Sequence, residues 1–253
     1  MPVRSLLNFV TRLQPRTYEV PEGRRIYAVG DIHGRLDLLD RLLELIVEDD
    51  RAKGRAVTEI IFLGDLVDRG PDSRGVVERL MRLSRGPLPM RFLMGNHEEV
   101  FLRAASGDQK ALRFLTRIGG RETLISYGIT AEEYRELDYD ELAALVEEKV
   151  PAEHIAFLSG FESWIEVGDY LFVHAGLRPG IAIEQQSRGD LCWIRDEFLN
   201  HRDSFGKMVV HGHSITEDVD ERHNRIGIDT GAYASGRLTA LGLEGDERWF
   251  LST

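Results

Sequence analysis

Aspartate, histidine, asparagine and arginine recur at short spacing in five places: Asp31 and His33; Asp65, Asp68 and Arg69; Asn96 and His97; His174; and His211 with His213. Five of the eight histidines fall in these clusters. Gathering that many carboxylates and imidazoles is unfavourable unless a cation or a partner compensates their burial. A divalent metal does so most simply. Carboxylate, imidazole and amide-oxygen donors without thiolate suit manganese, iron or zinc better than calcium or Cu(I). Asp31 and His33, two apart on an extended segment, project to the same side and can grip one ion. Asn96, His174 and His213 can supply a second, with a carboxylate such as Asp65 bridging at the roughly 3.5–4 Å of two-metal sites.

These clusters need elements that bring them together. Each follows a short apolar run of strand length: RIYAVGDIHG (25–34), EIIFLGDLVDRG (59–70), MRFLMGNHE (90–98), YLFVHAG (170–176) and KMVVHGH (207–213). Between the first three lie helical patterns, with Leu36, Leu39, Leu42, Leu43 and Ile46 on one apolar face and Val76, Val77, Leu80 and Leu83 on another. Strand and helix alternate, so an α/β fold with a mainly parallel, helix-covered sheet is expected. In such a fold, loops at the carboxyl ends of strands converge on a ligand. Residues 1–24 read as a short amphipathic lead-in closed by the Pro21-Glu22-Gly23 turn, and 97–160 as helices forming a flank or a lid. RIGIDTGA (225–232) and RLTALGLE (237–244) suggest a closing β-hairpin. No linker divides the chain, and a single domain over 1–253 is expected.

The strings GDIHG, GDLVDRG, GNHE, VHAG and HGH, in this order over about residues 25–245, resemble the calcineurin-like metallophosphoesterases. More narrowly they resemble the phosphoprotein phosphatase branch, with Asp68 and Glu98 favouring it; Met94 in place of that branch's eukaryotic arginine points to the small bacterial and phage type. The resemblance implies a β-sandwich flanked by helices in four α/β/β/α layers, with a binuclear metal site at the strand ends. It implies Asp31 and His33 on the first metal, Asp65 bridging, and Asn96, His174 and His213 on the second, with manganese first and iron or zinc as alternatives. His97 is then the general acid, oriented by Asp68, and Arg69 the phosphate clamp. Arg195 is the candidate second phosphate arginine, with Arg188 or Arg178 as substitutes. A paired ion lowers the pKa of a bridging water to give the attacking hydroxide. An arginine fork matches two phosphate oxygens, and an imidazole held by a carboxylate can protonate an alkoxide.

The function implied is a metal-dependent phosphomonoesterase acting on phosphoserine or phosphothreonine proteins and small phosphate esters. Hydrolysis of a dinucleoside polyphosphate such as diadenosine tetraphosphate, or of a phosphodiester, is the alternative on the same site. A noncatalytic binding module is disfavoured because every metal and acid position is filled. His211 is divided evenly between a structural and a substrate-side role, Cys192 and Trp193 are expected to pack beneath Arg195, and Asp229 is read as structural.

Composition bounds the partners. Forty-three acids against 32 bases give a formal charge of −11, which argues against stable nucleic-acid binding or an anionic membrane surface. Residues 131–149 hold eight of the acids against two bases and read as a solvated helix face. A lone cysteine excludes an internal disulfide, and no apolar run reaches the roughly 18–20 residues of a membrane span. A cytoplasmic location is the expectation.

Overall fold

The computed structural model describes residues 17–253. Most of the expected lead-in, residues 1–16, lies outside the described residues, whereas the Pro21-Glu22-Gly23 turn is present, with the Arg24 amide donating to the Pro21 carbonyl at 3.1 Å.

The first half alternates as its apolar periodicity predicts: β1 (Arg24–Val29), α1 (Leu36–Lys53), β2 (Val57–Phe62), α2 (Ser73–Leu83) and β3 (Met90–Phe92). Six helices follow: α3 (Asn96–Ala105), α4 (Gln109–Ile118), α5 (Gly120–Ser126), α6 (Ala131–Glu136), α7 (Tyr139–Lys149) and α8 (Ala152–Ser159). Then come β4 (Trp164–Val167), β5 (Tyr170–Val173), α9 (Arg188–Trp193), α10 (Asp196–Leu199), β6 (Met208–His211), β7 (Asp220–Glu221), β8 (Arg225–Gly227), α11 (Ala232–Ser235), β9 (Thr239–Glu244) and β10 (Glu247–Ser252).

The strands form two mixed sheets, ordered β10-β9-β1-β2-β3 and β4-β5-β6-β8-β7. Each has a parallel centre: β1 with β2 and β2 with β3 in the first, β5 with β6 and β6 with β8 in the second. Period-two alternation decides how they stack. Ile26 and Ala28 of β1 and Ile61 of β2 meet Tyr170 and Phe172 of β5 and Val210 of β6 in one buried cluster between the sheets. Tyr27, Val29, Ile60 and Phe62 point the other way, into a cluster built with α1, α2 and the six-helix segment. On the far side, Leu171, Val173 and Val209 pack on Leu191, Ile194 and Phe198 of the α9–α10 region. The result is the α/β/β/α layering expected. Phe101, Leu112, Leu115 and Leu124 of the six-helix segment are buried in the same cluster as Tyr27 and Val29 of β1 and Ile60 and Phe62 of β2.

One expectation is corrected. β8 and β9 do not form a hairpin; they lie in different sheets, and the hairpin is β9 with β10. Ile226 and Leu241 both face the cluster between the sheets, approaching it from opposite sides. Burying both faces there outweighs pairing two sequence neighbours.

Candidate metal centre and active site

Every predicted site residue except Arg195 sits just beyond the carboxyl end of a parallel strand. Asp31 and His33 follow β1, Asp65 to Arg69 follow β2, and Asn96 and His97 open α3 after β3. His174 follows β5 and His213 follows β6. The loops converge because their glycines permit it: Gly64, at φ 99°, places a would-be Cβ only 2.7 Å from the Gly95 amide nitrogen, so the GD and GN loops touch backbone to backbone.

Two groups of buried side chains result, His33 with Asp65 and His97, and Asp65 with His174 and His213; within each, the donor atoms lie within 4.8 Å of one another. Asp65 belongs to both. Its Oδ2 is 3.7 Å from His33 Nε2 and 3.9 Å from His97 Nε2, while Oδ1 is 3.4 Å from His174 Nε2. Asn96 Oδ1 lies 3.0 Å from His174 Nε2 and 2.8 Å from His213 Nδ1, inside the second group. Asp31 stands close by, accepting from the His213 amide at 3.0 Å. His97, expected only as an acid, therefore stands with His33 and Asp65 in the grouping where Asp31 was expected.

The donors fit a cation. His213 Nε2 is fully buried with no hydrogen-bond partner among the described residues, and burial, with Asp229 and Asp65 adding to it, pushes the buried Asp31 carboxyl well above its usual range; buried groups of this kind are costly unless a ligand satisfies them. Burial pushes the His33 and His213 imidazoles down to about 3 and about 2, with His174 adding to the effect on His213. Both rings are thus neutral, the form that binds a metal. Burial acts upward on Asp65, yet His174, His97 and His33 outweigh it and hold the carboxyl well below its usual range, ionised and able to bridge.

His97 Nδ1–H donates to Asp68 Oδ2 at 2.6 Å. Burial works against its charged form, but Asp65 and Asp68 outweigh it and raise the imidazole above its ordinary value. The Arg69 guanidinium lies between the rings, 2.9 Å from His33 Nε2 and 3.0 Å from His97 Nε2. Arg195 is exposed at the start of α10 and faces His213 closely enough to help lower its pKa. Of its substitutes, Arg178 is tied to Asp190 and Glu197 at 2.6 and 2.5 Å, and Arg188 lies 4.0 Å from Glu99.

Other residues stand apart from the two groups. His211 is buried, pushed down to about 4 by burial, and its Nδ1 contacts the Gly212 carbonyl at 3.0 Å while Nε2 contacts Arg225 at 3.3 Å. Cys192 donates to the Met94 carbonyl at 3.3 Å, and burial pushes its thiol up to about 12, which suits packing rather than reactivity. Trp193 donates to Glu99 at 2.7 Å.

The supporting roles of three residues escaped sequence reasoning, although Glu98 stood in a quoted motif. Glu98 is fully buried and accepts from the amides of Asp65, Leu66 and Val67 at 2.7, 2.7 and 3.2 Å and from Gly95 at 3.1 Å, fixing the loop that carries Asp65. Its place three residues after the helix-capping glycine allows only half of a capping box, the Glu98 carboxylate reaching back to the Gly95 amide. Thr123 donates to Asp68 Oδ1 at 2.6 Å and accepts from the Asp68 amide at 2.8 Å, and Ser73 also accepts from that amide at 3.0 Å. Nothing in the neighbouring residues of Thr123 signals this contact, which only tertiary packing creates.

Two stacked mixed sheets, helices on both outer faces and a carboxylate shared by two histidine groups at the strand ends define a metallophosphoesterase. The chain belongs to the calcineurin-like phosphoesterase family, whose pattern matches residues 24–236. It is 23% identical over 235 residues to the asymmetrical bis(5'-nucleosyl)-tetraphosphatase PrpE of Oceanobacillus iheyensis, covering 85% of this chain and 87% of that one. It is 32% identical over 160 residues to the symmetrical bis(5'-nucleosyl)-tetraphosphatase of an Acidovorax species, covering 63% of this chain and 47% of that one. A solved structure described as a candidate diadenosine tetraphosphatase superposes with a TM-score of 0.63 at 23% identity, over 94% of this chain and 98% of that one. A cold-active protein tyrosine phosphatase superposes at 0.58 and 19% identity, over 92% and 80%. The family is as the motifs implied; the two curated relatives carry the name of dinucleoside tetraphosphatases, and the narrower protein phosphatase branch is not what they are named for.

Among the described residues, no helix is long and apolar enough to cross a membrane.

Proposed function

We propose that the chain is a metal-dependent hydrolase of dinucleoside polyphosphates, cleaving a phosphoanhydride by addition of water at phosphorus. The observation that carries the metal-dependent hydrolase is Asp65 standing in two donor groups at once. Asp31, His33 and Asp65 would hold one divalent ion and Asp65, Asn96, His174 and His213 the other, with manganese the metal proposed. A bound pair of ions supplies activation of water and neutralisation of phosphoryl charge. Arg69 binds the phosphoryl oxygens through its donor fork, Arg195, close enough to act on His213, is the second arginine proposed, and Glu98 holds the bridging loop in place. The PrpE match, over 85% of this chain and 87% of that one, supports the dinucleotide over the phosphoprotein.

A second reading, hydrolysis of phosphoserine or phosphothreonine in proteins, is favoured by the buried 2.6 Å contact of His97 with Asp68. A proton donor of this kind matters most for an alkoxide leaving group.

Initial rates on one manganese-loaded preparation, with diadenosine tetraphosphate and a phosphothreonine peptide, test the choice. Faster dinucleotide hydrolysis abolished by EDTA is expected, with the products, two ADP or ATP and AMP, giving the position of cleavage. Faster peptide hydrolysis would transfer the assignment to the second reading.

A further inference from the structure

The cleft that opens beside Arg69 is larger than a phosphoryl group requires. Its volume is about 710 Å³, and Leu36, Pro71 and Tyr233 give it apolar surface beside the polar Arg35, Asp37 and Arg69. Pockets of roughly 300–1,000 Å³ with a few placed polar groups are the usual size for a small organic ligand.

Tyr233 is the unusual feature of this cleft. It stands in the short helix α11 and remains 37% exposed, although its ring centroid is 5.5 Å from that of His33 and 4.9 Å from the Arg69 guanidinium carbon. One aromatic side chain thus touches both a candidate metal ligand and the phosphate arginine while keeping surface open to the cleft. Its position is fixed across the cleft: Arg35 Nη1, at the start of α1, donates to the Ala232 carbonyl at 2.9 Å, tying the two rims together. Aromatic platforms of this type stack on the π-face of any base.

The charge of the lining selects what accompanies the ring. Asp37, Asp40 and Asp72 face the cleft with Arg35 and Arg69. Each carboxylate already has a partner: Arg35 donates twice to Asp37 at 2.8 and 2.7 Å, Arg79 to Asp40 at 2.7 Å, and the Gly75 amide to Asp72 at 2.8 Å. Three acids against two guanidinium groups disfavour a further row of phosphates here. Carboxylate oxygens have spare lone pairs that accept from hydroxyl and N–H donors, the groups a ribose and a base offer.

We propose that this cleft is a nucleoside-docking subsite, in which Tyr233 stacks on the base while the attached phosphate chain runs past Arg69 to the two donor groups. The inference rests on the dinucleoside reading and adds which part of the chain receives the nucleoside.

Calorimetric titration of the manganese-loaded protein with AMP and with inorganic phosphate tests it, in wild type, Tyr233→Ala and Tyr233→Trp. The readout is the ratio of the two dissociation constants, phosphate over AMP, because both ligands share the phosphoryl contacts. Wild type should prefer AMP, Tyr233→Ala should lower the ratio about tenfold, and Tyr233→Trp should keep it. No AMP preference in wild type, or a ratio unchanged in Tyr233→Ala, overturns the subsite. Rates on diadenosine tetraphosphate separate this from the parent reading: no dinucleotide hydrolysis with a Tyr233-dependent ratio removes the proposed substrate and keeps the subsite. Hydrolysis with an unchanged ratio does the reverse.

Discussion

His33, Asp65, Asp68, Arg69 and His213 are the five non-glycine residues with positive φ among the described residues, and every one is a candidate site residue. Left-handed backbone costs about 1–3 kcal/mol at such a residue and persists where the surroundings over-determine it. Here the surroundings include Glu98, whose four amide contacts hold the Asp65 loop, and the network around Asp68. His97 shows how two neighbours set a role. Burial alone would keep its imidazole neutral at neutral pH, but Asp65 and Asp68 raise it, so a proton is held above the ordinary range near 6.5 and lost as pH rises through the raised value. His97→Asn should therefore lower kcat on an alkyl phosphate by about 100-fold or more and flatten its alkaline limb. Loss on diadenosine tetraphosphate should be much smaller, since the departing phosphate needs little protonation. Equal losses on both substrates, with metal content unchanged, would remove the general-acid role.

At the scale of elements, the six-helix segment reaches the chemistry through α5. Thr123 both donates to and accepts from Asp68, and the Gly119 carbonyl, at the same turn, accepts from the Arg69 amide at 2.8 Å. The segment is thus a scaffold for the acid and the clamp. Thr123→Val removes a donor and an acceptor at nearly constant volume, leaving a buried carboxylate less satisfied. The expected result is a fall of about tenfold in kcat on alkyl phosphates together with a displaced alkaline limb of the pH–rate profile, both recovered by Thr123→Ser. A loss of thermal stability with an unmoved profile would make Thr123 structural only.

At the scale of the whole molecule, the two donor groups draw on different sheets. His33, Asp65 and His97 follow strands of the first sheet, and His174 and His213 follow strands of the second. An ion shared by Asp65, His174 and His213 would fasten one sheet to the other at the mouth of the sandwich. Removing metal should accordingly lower Tm, reversibly. Occupancy at 100 times Kd is worth about 2.7 kcal/mol, and for a chain of this size about 2–4 °C follows from each kcal/mol, so a shift of roughly 5–10 °C is expected. Asp65→Asn should lose activity, retain little of either metal and show almost no EDTA-dependent shift in calorimetry. Near-normal metal content in this variant would show that Asp65 is not the bridge.

The sequence by itself determined the strands that carry the polar clusters, the helical faces of α1 and α2, and the clusters destined for the strand ends, because apolar runs, 3.6-residue patterns and short polar motifs are local signals. The pairing of Asp68 with His97 came instead from the family resemblance of the two motifs that hold them. Tertiary structure alone decided that β8 and β9 separate into two sheets, where opposing apolar faces outcompete a local hairpin. It alone brought Thr123 to Asp68 across 55 positions, set His97 beside His33, and left Tyr233 open at the rim of the cleft. Those contacts join segments far apart in the chain, and no spacing within either segment encodes the distance between them.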